Sequence, residues 1–452
     1  MIGTIVALVW ANMDPDRQEK NGEVHHGSYN KFIHLTLVGG DHHADGGHGN
    51  DDHERDEDHP DAEPHGSSAD EPTGLIATIL DRLINRPQPK TTVHPDGTTT
   101  TTVERHGITF HFLINDILMA LFFAIAAKEV WESLLPGGAL SNPRKAATPL
   151  LATLGGIVGP AGLYLLGAMA WGRYDELGQG WAIPCATDIA FSYLFARLIF
   201  GAGHPAIAFL LLLAIADDAA GLVILAIFYP SKPIEPMWLL LTVGAVALGY
   251  GFRRLRLQSF WWYLLIPGTL SWLSFDLAGI HPALGLVPII PTLPHAHTDL
   301  GMFARAELNR HDTLNEFEHW WKNPVEIILG LFGLANAGVV MNSIGPGTWL
   351  VLIGLLIGKP LGITLFTWFA ERVLKLEVPA GMGYKHILSL GMVAAIGFTV
   401  ALFVSTAAFK EPGPVQDSVK MGALLSFMAA AIAFVLARSI GVRPEKSVEP
   451  SE

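Results

Sequence analysis

The stretch Phe209–Tyr229, FLLLLAIADDAAGLVILAIFY, decides the fold because it is apolar and long enough to cross a bilayer yet carries two adjacent carboxylates. A spanning helix needs roughly 20 apolar residues, which places Asp217 and Asp218 near the membrane midplane. An ionised Asp there costs about 2.5 to 3.5 kcal/mol of insertion free energy. Neighbouring helical residues point about 100° apart, so both carboxylates can reach one small cation. We interpret the pair as an ion or proton site; the alternative is a buried acid paired with a base for packing alone.

The composition is that of an all-α polytopic membrane protein. Half of the 452 residues are hydrophobic, and most of the net charge of −13 lies in one segment. Residues 14–109 hold 19 Asp/Glu against 8 Lys/Arg, a charge of −11, so the rest of the chain is nearly neutral. The single cysteine, Cys185, excludes an intrachain disulfide.

The apolar pattern predicts about twelve transmembrane helices. The opening segment, residues 1–13, is short for a span, so it is either a truncated first helix or the end of one whose start lies upstream. A membrane domain follows at residues 110–441, and residues 442–452 form a cytoplasmic tail. The eleven spans predicted within this domain are approximately 110–135, 146–170, 180–200, 205–229, 236–252, 259–275, 279–291, 324–342, 347–371, 384–409 and 417–440.

Residues 14–109 are predicted to form an extracytoplasmic hairpin. Phe32–Val38 and Thr98–Phe112 are β-branched and partly alternating, as expected of two paired arms. Gly39–Asp70 between them is too polar and acidic to fold, and Leu75–Leu83 is compatible with a short helix. The eleven histidines from His25 to His106 suggest either weak divalent metal binding or simply a solvated acidic tail.

The distribution of basic residues predicts the orientation. With a cytoplasmic N-terminus, the inside loops and C-terminal end carry 14 Lys/Arg and the short outside loops carry 4. The positive-inside rule therefore places both termini in the cytoplasm and the acidic segment outside. The expected location is the inner, or plasma, membrane of a bacterium.

Two predicted spans contain residues that interrupt a helix. In the fourth, Pro184 removes a backbone donor and predicts a break near Thr187 and Asp188. In the eleventh, Gly397 and Thr399 mark a second break. These helices are the middle members of triplets 3–5 and 10–12, and an offset of seven helices inverts the second triplet. Broken helices at matching positions of inverted repeats indicate a transporter site.

Other polar residues within the spans are candidates for the same site. Lys359 lies near the centre of the tenth span, where an ammonium needs a counter-charge, and Asp217 or Asp218 is the obvious one. Asp116 faces an outer funnel or caps a polar interface, and Glu129 is either a gate residue or a solvated helix end. His281 is more typical of a packed histidine, and Glu318 of a plain surface helix at 309–323.

Six motifs resemble the NhaA-type sodium/proton antiporters across essentially the whole membrane part. They are INDILMALFF, GWAIPCATDIAF, LLAIADDAAG, FGLANAGV, LLIGKPLG and AAIGFTVALF, in that order. The resemblance does not extend to the region around residues 39–100. Trp131 and Ser133 also stand where family members often carry charged residues, which puts the pH profile in question more than transport itself.

The resemblance implies a role for each candidate residue. Asp217 and Asp218 would bind Na⁺ or Li⁺ and exchange it for protons. Thr187 and Asp188 would lie where helices 4 and 11 cross, with Asp188 offsetting the two helix N-termini. Lys359 would pair with Asp217 and offset the facing C-termini. Asp116 would lie in an outer funnel, and the positions linked to pH regulation would be Glu129, His281 and Glu318.

The expected function is electrogenic Na⁺(Li⁺)/H⁺ antiport by alternating access, in sodium and pH homeostasis. No enzymatic activity, cofactor or nucleic-acid partner is expected, and the resemblance implies a homodimer joined through the outer hairpin. The alternatives are a sodium-coupled solute symporter on a similar scaffold and an intramembrane aspartyl hydrolase. A zinc transporter would explain the histidines, but no span carries paired His and Asp at helical spacing.

Overall fold

The computed structural model describes most of the membrane part and portions of the polar segment. The described residues are 1–15, 17–18, 24–25, 27–38, 86–93, 99–106, 108–201, 203–295, 312–379, 381–410 and 413–444. The segment 39–70 and the helix predicted at Leu75–Leu83 lie outside them. The chain divides into two compact units, one of Met1–Tyr29 with Ile114–Glu452 and the other Asn30–Leu113.

The membrane part of the chain is helical, and we number its main helices in chain order. They are α1 (Ile2–Met13), α2 (Phe110–Leu134), α3 (Pro143–Ala170), α4a (Tyr174–Cys185), α4b (Ile189–Phe200), α5 (Pro205–Phe228), α6 (Pro236–Arg254), α7 (260–278), α8 (Pro282–Thr292), α9 (Thr313–Asn336), α10 (Pro346–Arg372), α11a (Tyr384–Ala394), α11b (Phe398–Ala408) and α12 (Pro414–Ser439). A short antiparallel pair, Arg17–Gln18 with Val24–His25, follows α1.

The all-α polytopic fold is confirmed. Among the described residues, α2, α3, α5, α6, α10 and α12 are long and apolar enough to cross a membrane. Two further spans are bent pairs, by 54° between α4a and α4b and by 53° between α11a and α11b. Helices 4 and 11 are therefore discontinuous, as predicted. Membrane crossing by α1, α7, α8 and α9, which complete the predicted twelve, stays a prediction.

Two predicted segments differ in detail. The span expected at 279–291 consists of 3₁₀ turns, because its prolines remove the donors that an α-helix needs. The helix α9 begins at Thr313, capped by Asp312, which accepts from the Asn315 amide at 2.9 Å. The described part of the segment predicted as a separate surface helix is therefore the first half of α9, which ends at 336 rather than 342.

The smaller unit contains two antiparallel strand pairs. Thr36–Val38 pairs with Ile108–Thr109, so only the end of the second predicted arm pairs with the first, and the Phe32 and Phe110 rings lie 5.2 Å apart. Thr99–His106 pairs instead with Arg86–Val93. The strand Arg86–Val93 was not predicted, since prolines within a run argue against a strand. A short helix, Ser28–Ile33, begins just before this unit in the chain.

Helices α3 and α10 approach each other through glycines. A Cβ on Gly155 would lie 2.3 Å from the Gly362 carbonyl oxygen, and one on Gly159 would lie 2.3 Å from that of Gly358. Apolar side chains gain little by leaving lipid for protein, so such close backbone packing is a main source of helix association in a membrane. This contact positions Lys359, which follows Gly358 directly.

We expect Gly362→Ala to lower the thermal stability of the detergent-solubilised protein. The new Cβ would lie 2.1 Å from the Gly155 oxygen, and overpacking of this kind costs about 1 to 3 kcal/mol. Gly162→Ala is the matched control, because nothing lies within 4 Å of its added Cβ. Equal melting temperatures for the two variants would contradict the close-packing interpretation.

Candidate cation site

The breaks of helices 4 and 11 lie against each other. The Asp188 amide donates to the Ile396 carbonyl at 2.7 Å, and the Ser192 hydroxyl donates to the Val393 carbonyl at 3.1 Å. Pro184 is the second-last residue of α4a, so the break follows the proline as predicted. A Cβ on Gly397 would lie 3.0 Å from the Ala186 oxygen, which means that the two breaks are in close backbone contact.

Asp188 lies between the N-termini of two half-helices. Its Oδ1 accepts from the Phe191 amide of α4b at 3.3 Å, and its Oδ2 accepts from the Thr399 hydroxyl at 2.6 Å and the Thr399 amide of α11b at 3.3 Å. Helix N-termini carry partial positive charge and unpaired amides. A buried carboxylate at this point, 4 % exposed, satisfies both ends at once.

The opposing C-termini also have partners. The Lys359 ammonium donates to the Cys185 carbonyl, the last of α4a. The Thr187 hydroxyl lies 3.2 Å from the Ala394 carbonyl, the last of α11a. Unpaired carbonyls at a helix C-terminus carry partial negative charge and favour cations. The negative charge of Asp188 thus lies at the N-terminal ends of the half-helices, and the positive charge of Lys359 lies at a C-terminal end.

Asp217 is held by two donors. Its Oδ2 accepts from the Lys359 ammonium at 2.9 Å and from the Thr187 hydroxyl at 2.7 Å. Asp217 and Lys359 are 5 % and 0 % exposed, so the pair is removed from any solvent that would screen it. Three separate elements, α5, α10 and the α4 break, therefore meet at one carboxylate oxygen.

Asp218 has a different environment. It is partly buried and has no hydrogen-bond or ion-pair partner among the side chains and backbone that the structure describes. It lines, with Asp217, a cavity of about 30 Å³, large enough for a water molecule or a small cation. The other lining residues are almost all apolar: Phe122, Phe123, Ala126, Ile157, Ala182, Cys185, Ala186, Gly221, Leu222, Ile224, Leu225, Val400 and Val404.

The remaining predicted residues lie outside this centre. The His281 Nδ1 is 3.9 Å from an Asp116 carboxylate oxygen, and the His281 ring packs against that of Phe403. Glu318 of α9 pairs with Lys128 of α2. Glu129 follows Lys128 on α2 and is partly buried. None of these four acidic or histidine residues lines the cavity beside Asp217 and Asp218.

Two polar contacts between α2 and α9 were missed by the sequence analysis. Lys128 is 3 % exposed and binds both Glu318 and, at 2.6 Å, Glu132. Asn115 and Asn336 exchange amide hydrogen bonds of 3.1 and 2.7 Å. Lys128 and Asn115 were recognisable as polar residues inside an apolar span. Their partners on α9 were not, because the sequence does not show which helices face each other.

The donor set fits a hard cation rather than a transition metal that prefers nitrogen or sulfur ligands. The Asp217 and Asp218 carboxylates line the cavity and the Thr187 hydroxyl contacts Asp217, and oxygen ligands suit hard cations. Within the described ranges, no group of three His, Cys, Asp or Glu side chains is close enough to hold a metal ion. Eight of the eleven histidines that suggested metal binding lie outside those ranges.

The geometry agrees with comparisons to known proteins. The family model described as Na⁺/H⁺ antiporter 1 matches residues 88–437. A protein named Na(+)/H(+) antiporter NhaA from Jannaschia sp. (strain CCS1) is 55 % identical over 359 residues, which cover 75 % of this chain and 85 % of that protein. Proteins of the same name from Geobacter sulfurreducens and Desulfitobacterium hafniense (strain DSM 10664 / DCB-2) are 51 % and 50 % identical, covering 75 % and 76 % of this chain and 88 % of each.

The matched region contains every element of the site: both broken helices, the paired aspartates of α5 and the buried lysine of α10. Such identity over most of both chains settles the ancestry, and this chain belongs to the NhaA family of Na⁺/H⁺ antiporters.

Proposed function

We propose that this chain exchanges Na⁺ or Li⁺ for protons across a membrane and exports sodium by using inward proton flow. The observation that carries the proposal is the pair of neighbouring carboxylates at the break of two helices, one bound by an ammonium and one facing a cavity. The printed name of the relatives, Na(+)/H(+) antiporter, supports the same exchange.

In this proposal the cation is bound by oxygens of α5 and the α4 break. Asp217 and Asp218 supply charge, and the Thr187 hydroxyl, 2.7 Å from Asp217, supplies a neutral ligand. Protons and sodium compete for the same carboxylate oxygens, so the site binds one or the other. Exchange of one sodium for two protons moves net charge and therefore responds to the membrane potential.

Alternating access follows from the cost of charge in lipid. A site occupied by sodium or by protons is closer to neutral and can pass through the low-dielectric centre, whereas an empty charged site resists that change. The Lys359 ammonium, 2.9 Å from Asp217, is the counter-charge that keeps the carboxylate stable in the closed protein. Asp188 and Lys359 also offset the opposite helix ends of the crossing.

We propose regulatory roles for the residues between helices at the edges of the bundle. Glu318 of α9 pairs with Lys128 of α2, and Glu129 follows Lys128 in the chain. A change in the protonation of either carboxylate would alter the contact between α2 and α9. His281 and Asp116, 3.9 Å apart, occupy a second such contact, with Asp116 in an outer funnel. The buried Lys128 supports the first assignment, since a buried amine depends on its acidic partners.

The contacts of the site do not favour the alternative functions. A solute symporter requires a second site for an organic molecule, whereas the cavity beside Asp217 and Asp218 is lined almost entirely by apolar side chains and faces the Asp217–Lys359 ion pair. An aspartyl hydrolase requires two aspartates that share a proton. Asp188 and Asp217 are instead engaged by Thr399 and Lys359, respectively. A sodium/proton exchanger uses all of these contacts.

The proposed setting is the inner membrane of a bacterium with both chain termini in the cytoplasm, supported by the asymmetry of Lys and Arg between loops. We further propose a homodimer joined through the outer hairpin, whose arms Thr36–Val38 and Ile108–Thr109 pair as antiparallel strands. Neither cofactor nor nucleic acid takes part in this mechanism.

We expect Asp217→Asn and Asp218→Asn each to abolish sodium-dependent proton movement in everted membrane vesicles. Each change removes one carboxylate that sodium and protons share. Asp276→Asn is the matched control, because Asp276 is about as buried as Asp217 but pairs with Lys232 away from the cavity. Retained exchange in either site variant, at normal expression, would refute the proposed ion site.

We expect Lys359→Ala and Asp217→Asn to be strongly non-additive in thermal stability. Loss of one partner of a buried ion pair leaves the other charge unpaired and costs about 3 to 5 kcal/mol, whereas loss of both removes the charged pair together. The double variant should therefore melt well above the value that the two single variants predict. Additive shifts would show that the two groups do not interact.

A further inference from the structure

Helix α10 contains a widened, π-helical turn that ends at Gly358, directly before Lys359. Residues Gly354–Gly358 form a π-helical turn, and the Lys359 amide donates to the carbonyl of Gly354, five residues back rather than four. Such turns hold one residue more than an α-helix and occur frequently at functional sites. Removing that residue would rotate Lys359 by about 100° relative to the start of α10.

Pro360 gives a physical cause for the turn. Proline has no amide hydrogen, and in an α-helix its ring crowds the carbonyl four residues earlier, here that of Leu356. A widened turn moves that carbonyl aside. The second proline-linked case in the described helices is α7, where Leu264–Gly268 forms a π-helical turn that includes Pro267.

The turn is packed between two other prolines. A Cβ on Gly354 would lie 2.8 Å from the Pro184 Cβ, next to the break of helix 4. A Cβ on Gly358 would lie 2.7 Å from the Pro160 Cα of α3. The widened backbone therefore fits a space that only glycine allows at both ends.

The two halves of α10 are fixed to different neighbours. In the first half, the Thr348 hydroxyl donates to the Ser418 carbonyl of α12 at 2.7 Å. In the second half, Gly362 packs on Gly155 of α3. The π-helical turn lies between these anchors and sets the rotation of one half relative to the other.

We propose that Pro360 is a positioning residue, which maintains the π-helical turn Gly354–Gly358 and thereby aims the Lys359 ammonium at Asp217 and the Cys185 carbonyl. The turn fixes the direction of a side chain that is fully buried, so the ion pair depends on backbone register as well as on charge. The proposal deepens the proposed function, on which its transport readout rests, but its stability readout is independent of transport.

The test is a set of double-mutant cycles for Asp217→Asn and Lys359→Ala, measured by thermal unfolding in three backgrounds. In Pro360→Ala, which restores an amide and removes the ring, we expect the non-additivity of the pair to fall by at least about half. In Pro267→Ala, the matched control on α7, it should equal that of the unmodified chain. Pro360→Gly restores the same amide and is a second variant, for which the same loss is expected.

A transport assay gives the second readout. Lys359 competes with sodium for Asp217, so a misdirected ammonium should lower the apparent KM for Na⁺ in Pro360→Ala by at least about threefold. The same proline change in a Lys359→Ala background should leave KM unchanged. Undiminished coupling in both proline variants would overturn the positioning role. Active exchange in Asp217→Asn would instead refute the proposed function and leave the stability result standing.

Discussion

The ion pair between Asp217 and Lys359 is the contact on which the rest of the structure depends. Inside a bilayer, no water is available to replace a lost partner, so each buried charge must find its complement within the protein. The pair joins α5 to α10, and the Thr187 hydroxyl adds the break of helix 4 to the same oxygen. The glycine contact between α3 and α10 is what brings the lysine within reach.

The same constraint explains why both broken helices can exist. A break leaves amides and carbonyls without helical partners, which is tolerated at membrane depth only where other groups bind them. Asp188 binds the two N-terminal ends, and Lys359 binds the C-terminal end of α4a. The Thr187 hydroxyl, whose short contact is with Asp217, lies 3.2 Å from the C-terminal carbonyl of α11a. Each of these three side chains therefore has a structural task beside the one proposed in transport, so that removing one affects folding and exchange together.

The fold was largely predictable because lipid imposes simple rules on sequence. Apolar runs predicted the helices, and Pro184 predicted the break at Thr187 and Asp188 because proline acts locally. The basis for pairing Lys359 with an α5 carboxylate was equally simple, since a midplane amine requires an acid. The residues alone left the choice between Asp217 and Asp218 open, because it depends on the rotation of α5 against α10. The family resemblance implied Asp217, and the structure has that pair.

What the sequence could not predict depends on contacts between distant segments. Lys128 and Glu318 lie 190 residues apart, and Lys128 beside Glu129 is typical of a solvated helix end until α9 covers it. The strand Arg86–Val93 contains two prolines that argue against a strand, yet it pairs along its whole length with Thr99–His106. The π-helical turn before Lys359 was also not predictable, since a proline such as Pro360 is compatible with a kink, a break or a widened turn.

The different surroundings of the two carboxylates suggest an order of events for the proposed exchange. Asp217 is occupied by an ammonium and a hydroxyl, while Asp218 faces the cavity without such a partner among the described residues. In the proposed exchange, an entering cation would meet Asp218 first and reach Asp217 only as the ammonium gave way. Because both carboxylates stand on one helix, a cation bound at Asp218 would bring positive charge close to Lys359 and weaken its hold on Asp217. Adjacent carboxylates of unequal exposure would thus couple ion entry to release of the lysine, which a single buried acid would not do.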